Sequence, residues 1–151
     1  MCLSMIWSYL TFEKLQLHQL YDLLKLRMSV FIVEQNCVYQ DIDDNDDKAI
    51  HVLAYHKSHL VAYSRIFAPG IIEESCACIG RILTRKESRG KGVGKMIVQK
   101  SIDYCKQNFV GEAIKISAQS HLRNFYQEFG FKRAGSLYLE DGIPHCTMFL
   151  T

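Results

Sequence analysis

The longest periodic pattern in the chain lies near its start. Apolar residues recur at three- and four-residue steps between Leu17 and Phe31, which is the spacing of one face of an α-helix. This pattern predicts an amphipathic helix that runs to about Val33. A short apolar run at residues 6–10 predicts a strand before it, and a polar, acidic loop follows it at residues 35–48.

The rest of the chain alternates between short apolar runs and polar turns, as strands and hairpins do. Predicted strands lie at residues 50–55, 60–67, 78–83, 113–117, 131–139 and 146–150. Turn residues at 57–59 and at Asp141-Gly142 predict two hairpins. Helices are predicted at residues 96–106 and 121–129, the second stopped by Gly130. A strand, loop, helix and strand in the middle of this series predict an α/β fold with a mixed sheet covered by helices.

Length and charge narrow the class of protein. The 151 residues predict a single domain, residues 1–151, with one compact core. With 18 basic and 16 acidic residues, the net charge of +2 provides no global field for nucleic acid or an anionic membrane. Apolar runs stay well short of the ~20 residues that span a bilayer, and the first ten residues lack the cationic segment of a secretory signal. We expect a soluble, cytoplasmic protein, monomeric or homodimeric.

The cysteines do not predict a disulfide framework or a metal site. Only two of the six are close together, Cys76 and Cys78, and no second Cys or His pair follows at zinc-like spacing. Reduced thiols are the expected state. The six are Cys2, Cys37, Cys76, Cys78, Cys105 and Cys146.

A glycine-rich segment between a predicted strand and a predicted helix is the strongest chemical signal. It reads Arg89-Gly90-Lys91-Gly92-Val93-Gly94-Lys95. Glycines let the backbone turn tightly, and the start of a helix adds free N–H groups and the positive end of its dipole. The segment therefore predicts a phosphate-binding loop.

Two familiar phosphate-binding motifs do not fit this segment. A Walker loop ending at Gly94-Lys95 would need glycine in place of Arg89 and Ser or Thr in place of Met96. The dinucleotide motif G-x-G-x-x-G would need a third glycine at Lys95 or at Ile97. A nucleotide-binding protein is therefore disfavoured.

The pattern R-x-x-G-x-G, formed by Arg89, Gly92 and Gly94, does fit. It resembles the pyrophosphate loop of the GCN5-related N-acetyltransferases (GNAT superfamily), which bind acetyl-CoA. About thirty residues later, Phe125-Tyr126 and Gly130-Phe131 match the F-Y-x-x-x-G-F ending of that family's second signature. Several longer segments, covering nearly the whole chain, are similar to the ElaA-like subgroup. They include residues 27–37, 39–43, 80–82 and 140–145.

The resemblance implies the GNAT acyl-CoA N-acyltransferase fold, with a mostly antiparallel central sheet and helices on both faces. It also implies acetyl-CoA as acetyl donor, without a metal. Tyr126 would protonate the leaving thiolate, and a backbone N–H at the end of the central strand would polarise the acetyl carbonyl. Gln119 stands where the family usually has asparagine. The residues implied in cofactor binding are Ile82, Leu83, Thr84, Arg89, Gly90, Lys91, Gly92, Val93, Gly94, Lys95, Gln119 and Tyr126.

The base that deprotonates the amine is less clearly indicated. The candidates are Glu34, His121, Asp141 and His145. Glu34 ends the first helix near the expected acceptor pocket, and His145 follows the Asp141-Gly142 turn. We rank Glu34 first and His145 second as catalytic residues, and a chain of water molecules without a single base is the alternative.

The acidic loop admits three interpretations. Asp41, Asp43 and Asn45 fit the first positions of a calcium loop, but Asp46 replaces its glycine and Val52 its final glutamate. Calcium is therefore disfavoured. The remaining interpretations are a loop with its carboxylates in water, or the hypothesis that Asp41, Asp43 and Asp44 attract a cationic amine.

Two classes of function remain. The first is an enzyme that transfers acetyl from CoA to a primary amine, on a small molecule or on a protein lysine or N-terminus. The second is a module that senses acetyl-CoA without turnover. Tyr126 favours the enzyme, because a sensor needs no proton donor.

Overall fold

A computed structural model describes residues 4–151, so Cys2 lies outside the described residues. Seven strands form one sheet in the order β1-β2-β3-β4-β5-β7-β6. The strands are β1 (Ile6–Thr11), β2 (Ile50–His56), β3 (His59–Phe67), β4 (Cys76–Thr84), β5 (Ala113–Gln119), β6 (Lys132–Glu140) and β7 (Ile143–Leu150). The helices are α1 (Leu17–Arg27), α2 (Val93–Asn108) and α3 (Arg123–Gln127).

Most neighbouring strands are antiparallel, and both predicted hairpins are confirmed. Lys57 and Ser58 have φ values of 47° and 65°, and Asp141 and Gly142 have 50° and 78°. Two consecutive residues with positive φ form the tight turn whose twist matches that of the flanking strands. These turns explain why the polar dipeptides predicted the hairpins correctly.

The sheet has an apolar layer on each face. Alternate residues of β2 and β3 point to opposite sides, so Val52 and Ile66 pack with α2, whereas Leu53 and Tyr63 pack with α1. Phe131 and Tyr126 extend the layer on the α2 side. The predicted mixed α/β arrangement, with a mostly antiparallel sheet between helices, is confirmed.

Two predicted elements differ in detail from the structure. The first helix continues past Arg27 as a wider π-helix, Met28–Glu34, so its last turns do not keep the 3.6-residue period from which it was predicted. The predicted helix at 121–129 consists of a 3₁₀ turn, Ser120–Leu122, followed by the short α3. The π-helix, here called the π segment, ends at Glu34.

The interpretation of the acidic loop as fully solvated does not hold for all of its carboxylates. Asp41 and Asp46 are each only 8% exposed, and both accept hydrogen bonds from Arg27, which is fully buried. These two carboxylates serve as internal counter-ions, whereas Asp44 and Asp47 are exposed.

Candidate functional site

The site is a cleft where two parallel strands separate. β4 and β5 pair only from Cys76 opposite Ala113 to Cys78 opposite Lys115. Beyond these three pairs the strands diverge. The gap opens into a cleft of about 710 Å³ that also reaches the π segment, the glycine loop, α3 and the β6–β7 turn.

A bulge in β4 forms one wall of the cleft. Gly80 pairs with Arg65 and Leu83 with Tyr63, so Arg81 and Ile82 lie opposite the single residue Ser64. Arg81 has a φ of 49°, a left-handed conformation that costs a residue with a side chain about 1–2 kcal/mol. A bulge leaves backbone groups without a strand partner. Here those groups border the cleft, where the sequence predicted a carbonyl-binding N–H at Ile82 to Thr84.

The glycine loop forms the end of the cleft at the start of α2. Gly90 and Gly92 have φ values of 73° and 78°, which glycine adopts without strain. Gly92 caps α2, and its first turn contains no acidic residue and receives no side-chain cap. The first N–H groups of the helix therefore remain available to an anion.

The side chains of the loop have different surroundings. Arg89 lies in the cleft, but Lys91 donates its hydrogen bond to the carbonyl of Glu87. Val93 is buried in the core, and Lys95 forms an ion pair with Glu128. The resemblance implies that this loop binds the cofactor. For Lys91, Val93 and Lys95, whose side chains are engaged elsewhere, the backbone N–H groups are the part that could do so.

Arg89 is held by two partners on different elements. Its Nη1 lies 2.6 Å from Oε1 of Glu34, and its Nη2 lies 3.2 Å from Oε2. Nε and Nη2 each lie 3.2 Å from the carbonyl oxygen of Thr84. Glu34, the first-ranked base, is thus the counter-ion of the loop arginine. Both carboxylate oxygens of Glu34 therefore already accept hydrogen bonds from Arg89.

Tyr126 has a buried ring and borders the cleft. Its ring packs edge to face on Phe125 and Phe131, with centroids 5.2 Å and 6.1 Å away. Burial raises the pKa of the Tyr126 phenol to about 12. The hydroxyl therefore stays protonated at neutral pH and can donate a hydrogen bond into the cleft.

His145 lies on the opposite side of the cleft with a defined tautomer. Its Nδ1 is 2.7 Å from the carbonyl oxygen of Ile143. A carbonyl only accepts hydrogen bonds, so Nδ1 carries the proton and Nε2 of the neutral ring has the free lone pair. The ring stacks on Tyr138 with centroids 6.1 Å apart. This arrangement suits a proton acceptor.

Two further contacts connect the end of the π segment with the far side of the cleft. Gln119 Nε2 donates to Oε1 of Gln35 over 3.1 Å. The thiol of Cys37 donates to the carbonyl of Asp141 over 3.3 Å. Together with the Glu34–Arg89 pair, these contacts join residues 34–37 to the glycine loop, to β5 and to the β6–β7 turn.

Comparison with known proteins identifies the family. The model of the acetyltransferase (GNAT) domain matches residues 19–151. The chain belongs to the GNAT acetyltransferase family.

The similarity to individual GNAT proteins extends over the whole chain. The protein is 42% identical to ElaA of Escherichia coli K12 over 144 residues, which are 94% of each chain. The crystal structure of Escherichia coli ElaA has a TM-score of 0.90 at 39% identity and covers 97% of this chain and 99% of that chain. An acyl-CoA N-acyltransferase from Pseudomonas aeruginosa has a TM-score of 0.93 at 34% identity and covers 98% and 100%. The ElaA-like subgroup is therefore confirmed.

As a GNAT protein, the chain is an acyltransferase that uses an acyl-CoA donor and an acceptor. Most of the residues predicted for this chemistry lie together in the cleft. They are Glu34, Ile82, Leu83, Thr84, Arg89, Gly90, Gly94, Gln119, Tyr126 and His145, joined by the other base candidates His121 and Asp141. Lys91, Gly92, Val93 and Lys95 do not line it.

Behind the cleft of this GNAT protein lies a cluster of six charged side chains. Arg27, Arg65 and Arg81 pair with Asp41, Asp43 and Asp46 at distances up to 3.5 Å. Burial opposes ionisation of Asp43 and Asp46, but the arginines outweigh it and hold the pKa of both carboxyl groups below the usual range. The hypothesis that Asp41 and Asp43 attract an amine loses its basis, because their charges are already neutralised.

Four further residues line the cleft although no sequence pattern indicated a role for them individually: Gln35, Cys37, Arg81 and Ser117. The first three lie in segments that are similar to the ElaA-like subgroup, and this similarity does not by itself show what each residue does. Ser117 follows the alternation of β5, which points it away from the buried Ile116.

No group of three or more His, Cys, Asp or Glu side chains between residues 4 and 151 is placed to hold a metal ion. Within the same residues, no helix has both the length and the apolar character needed to cross a bilayer.

Proposed function

We propose that the protein is an acetyl-CoA-dependent N-acetyltransferase whose acceptor is a primary amine. The observation that carries the proposal is that the β4 bulge, the start of α2 and Tyr126 border one cleft. These are the groups needed to hold a diphosphate, polarise a thioester carbonyl and assist a thiolate. The match to an acetyltransferase domain supports acetyl as the acyl group.

In the proposed complex, the diphosphate of acetyl-CoA binds the N–H groups at the start of α2. Arg89 adds a charge-assisted hydrogen bond after exchanging Glu34 for phosphate oxygen. The thioester then lies between the diverging strands. A free N–H of the bulge at Arg81–Ile82, or of the following residues to Thr84, donates to the carbonyl oxygen as it becomes negative.

The reaction is a direct attack within a ternary complex. The amine nitrogen forms a bond to the carbonyl carbon, and the bond from that carbon to sulfur breaks. His145 Nε2 accepts the proton that the amine loses. His145 replaces Glu34 as the first choice for this role, because the contact of its Nδ1 with the Ile143 carbonyl leaves Nε2 as the acceptor and does not involve the cofactor-binding arginine. His121 and Asp141 remain further cleft residues without this tautomeric arrangement.

Tyr126 assists the leaving sulfur as a hydrogen-bond donor. Its phenol, with a pKa of about 12, is a weaker acid than a thiol, whose pKa is about 8.5. Complete transfer of the phenolic proton to the thiolate is therefore uphill. Tyr126 stabilises the negative charge that develops on the sulfur. The proton that His145 takes from the amine then passes to the CoA thiolate or to solvent, which returns His145 to its starting state.

The test is release of free thiol from acetyl-CoA across a panel of primary amines, with propionyl-CoA as a second donor. We expect release that depends on both substrates, and a fall in kcat of roughly 10²-fold in Tyr126→Phe. Tyr104→Phe is the matched control, because Tyr104 lies on α2 outside the cleft. Tight acetyl-CoA binding without thiol release would support the alternative, a sensor without turnover.

Three sequence-based expectations stay predictions alongside this function. The protein is expected in the cytoplasm, without nucleic acid or membrane as a partner, and as a monomer or a homodimer. Sedimentation of the purified protein with and without acetyl-CoA distinguishes the two assembly states.

A further inference from the structure

The strained residue of the β4 bulge has an unusually strong anchor. Arg81 stands at the left-handed position of the bulge, where glycine is customary. Its Nε donates to Oδ1 of Asp41 over 2.7 Å, and its Nη2 donates to the Asp41 carbonyl over 3.1 Å. Its guanidinium also lies 5.8 Å from the centre of the Tyr39 ring. The side chain therefore holds a backbone conformation that the residue would not otherwise favour.

Asp41 is itself fixed to the core. Arg27 donates from Nε to Oδ2 of Asp41 over 2.8 Å and from Nη2 to the Asp41 carbonyl over 2.9 Å. Arg27 is fully buried at the end of α1, and its Nη1 donates to Asp46 over 2.7 Å. A continuous set of charge-assisted hydrogen bonds thus runs from α1 through Asp41 to the bulge.

The position of this anchor matters because the bulge borders the cleft. Arg81 and Ile82 share one partner residue, Ser64, so backbone groups there have no place in the β3–β4 ladder. Arg81 is also already paired with Asp41 and Asp43. Its charge is therefore not free to bind a substrate phosphate, and an indirect role through the backbone is the one the contacts support.

We propose that Arg81, clamped by Asp41, is a positioning residue that holds the β4 bulge in the conformation that presents its N–H groups to the acyl carbonyl. This inference rests on the proposed function. The side chain acts on the reaction through the backbone that carries it, and Asp41 acts through Arg81.

Variants that separate backbone from side chain test this role. Arg81→Ala removes the hydrogen bonds to Asp41 but keeps a side chain that disfavours positive φ. Arg81→Gly removes the same hydrogen bonds, but glycine adopts positive φ freely. We expect kcat to fall roughly 10–100-fold in Arg81→Ala, less than the 10²–10³ typical of deleting an oxyanion donor. Arg81→Gly should retain at least about fivefold more kcat than Arg81→Ala, with KM for the amine little changed in both. Arg85→Ala is the control, because Arg85 follows β4 and pairs with the exposed Glu87.

Equal kcat in the alanine and glycine variants, or a fall in Arg85→Ala of the same size, would overturn the proposal. Asp41→Asn provides a second test that does not need Arg81→Ala to fold. If Asp41 acts through Arg81, the double variant Asp41→Asn/Arg81→Gly is no slower than Arg81→Gly alone. Multiplying effects on kcat would show independent roles and contradict the inference.

A binding measurement distinguishes failure of this inference from failure of the proposed function. Only acetyl-CoA has the carbonyl that meets the bulge, so the ratio of the Kd values for CoA and acetyl-CoA reports that contact without turnover. We expect the ratio to fall in Arg81→Ala and to recover in part in Arg81→Gly. Absence of thiol release from the wild-type protein would refute the enzyme function, whereas a ratio unchanged in Arg81→Ala would refute the role of Arg81.

Discussion

Arg89 and Glu34, which are 55 positions apart in sequence, form a two-point ion pair across the mouth of the cleft, with Nη1–Oε1 at 2.6 Å and Nη2–Oε2 at 3.2 Å. The pair joins the phosphate-binding loop to the end of the π segment. The residue ranked first as base and the cation expected to bind diphosphate therefore neutralise each other. Anion binding at Arg89 would release Glu34, so the two roles are coupled rather than independent.

Replacing Glu34 separates these roles. In Glu34→Gln, Arg89 keeps its contact with the Thr84 carbonyl but loses its counter-ion, so it is freer to bind diphosphate. Both partners are partly exposed, and such pairs contribute about 0.2–1 kcal/mol. We expect the Kd for acetyl-CoA to fall by up to about fivefold, with kcat within about twofold of wild type. A loss of kcat of about 10²–10⁴ would instead identify Glu34 as the base. Glu112→Gln, on the exposed turn before β5, is the control.

His145→Gln removes the lone pair assigned to the proton acceptor and keeps a polar side chain of similar length. We expect kcat to fall about 10²-fold or more, within the usual range for a general base, and added imidazole to restore part of it. His59→Gln at the exposed start of β3 should leave kcat unchanged. Full activity in His145→Gln would favour transfer through water.

The pH dependence of stability should have two stages. Burial lowers the pKa of His51 despite the opposing effect of Asp46, and the ring is enclosed by Tyr63 and the Asp46 carbonyl. The unfolded chain therefore binds a proton below about pH 6.5 that the folded protein resists. The free energy of unfolding should decrease as the pH falls below that value. It should decrease further below about pH 4, as Asp43 and Asp46 lose the stabilisation that their lowered pKa represents.

Urea denaturation between pH 7.5 and pH 3.5 measures both stages. In His51→Gln, the decrease between pH 6.5 and pH 5 should disappear and the later decrease should remain. A free energy of unfolding that stays constant from pH 7 to pH 5 in the wild-type protein would contradict the first stage.

Removing a charge from the buried cluster should lower the free energy of unfolding more than removing an exposed charge from the same loop. Arg27→Met leaves Asp41 and Asp46 partly unpaired in the interior, and breaking a buried pair in this way costs about 3–5 kcal/mol. Urea or thermal denaturation should detect this loss. Asp44→Asn, an exposed position in the same loop, should change stability by less than about 0.5 kcal/mol. Similar values for both variants would mean that the cluster contributes little.

The rate of chemical modification of Cys37 should report whether a ligand occupies the cleft. Burial raises the pKa of the Cys78 and Cys105 thiols to about 12, so they contain almost no reactive thiolate at pH 8. Cys37 borders the cleft and is only partly buried. We expect iodoacetamide to modify Cys37 before these two thiols, and acetyl-CoA to slow that modification several-fold. Peptide mass spectrometry resolves each cysteine, and an unchanged rate at Cys37 would place the ligand elsewhere.

The sequence predicted the elements of this fold because most of their signals are local. The period of the first helix, the turn residues of the hairpins and the glycines before α2 each act within a few residues. The resemblance added the family and the order of the elements. The bounds of the strands were then predicted to within about three residues.

The partners of the charged side chains were harder to predict from the sequence, because each pair joins residues that are far apart along the chain. Arg27, Arg65 and Arg81 lie on three elements, and nothing in the local pattern shows that they converge on residues 41–46. The burial of Asp41 and Asp46 was therefore not predicted. The pairing of Glu34 with Arg89 was missed for the same reason, since it depends on where the π segment ends.

The short pairing of β4 with β5 has a thermodynamic consequence. Only three residue pairs join strands β1–β4 to strands β5–β7. A molecule lying in the gap beyond those pairs contacts both β4 and β5 where these strands are not hydrogen-bonded to each other. Donor binding to the folded state then adds RT ln(1 + [L]/Kd) to the free energy of unfolding, about 2.7 kcal/mol at a hundredfold excess over Kd. The acyl donor would thus act as a structural component of the sheet as well as a reactant.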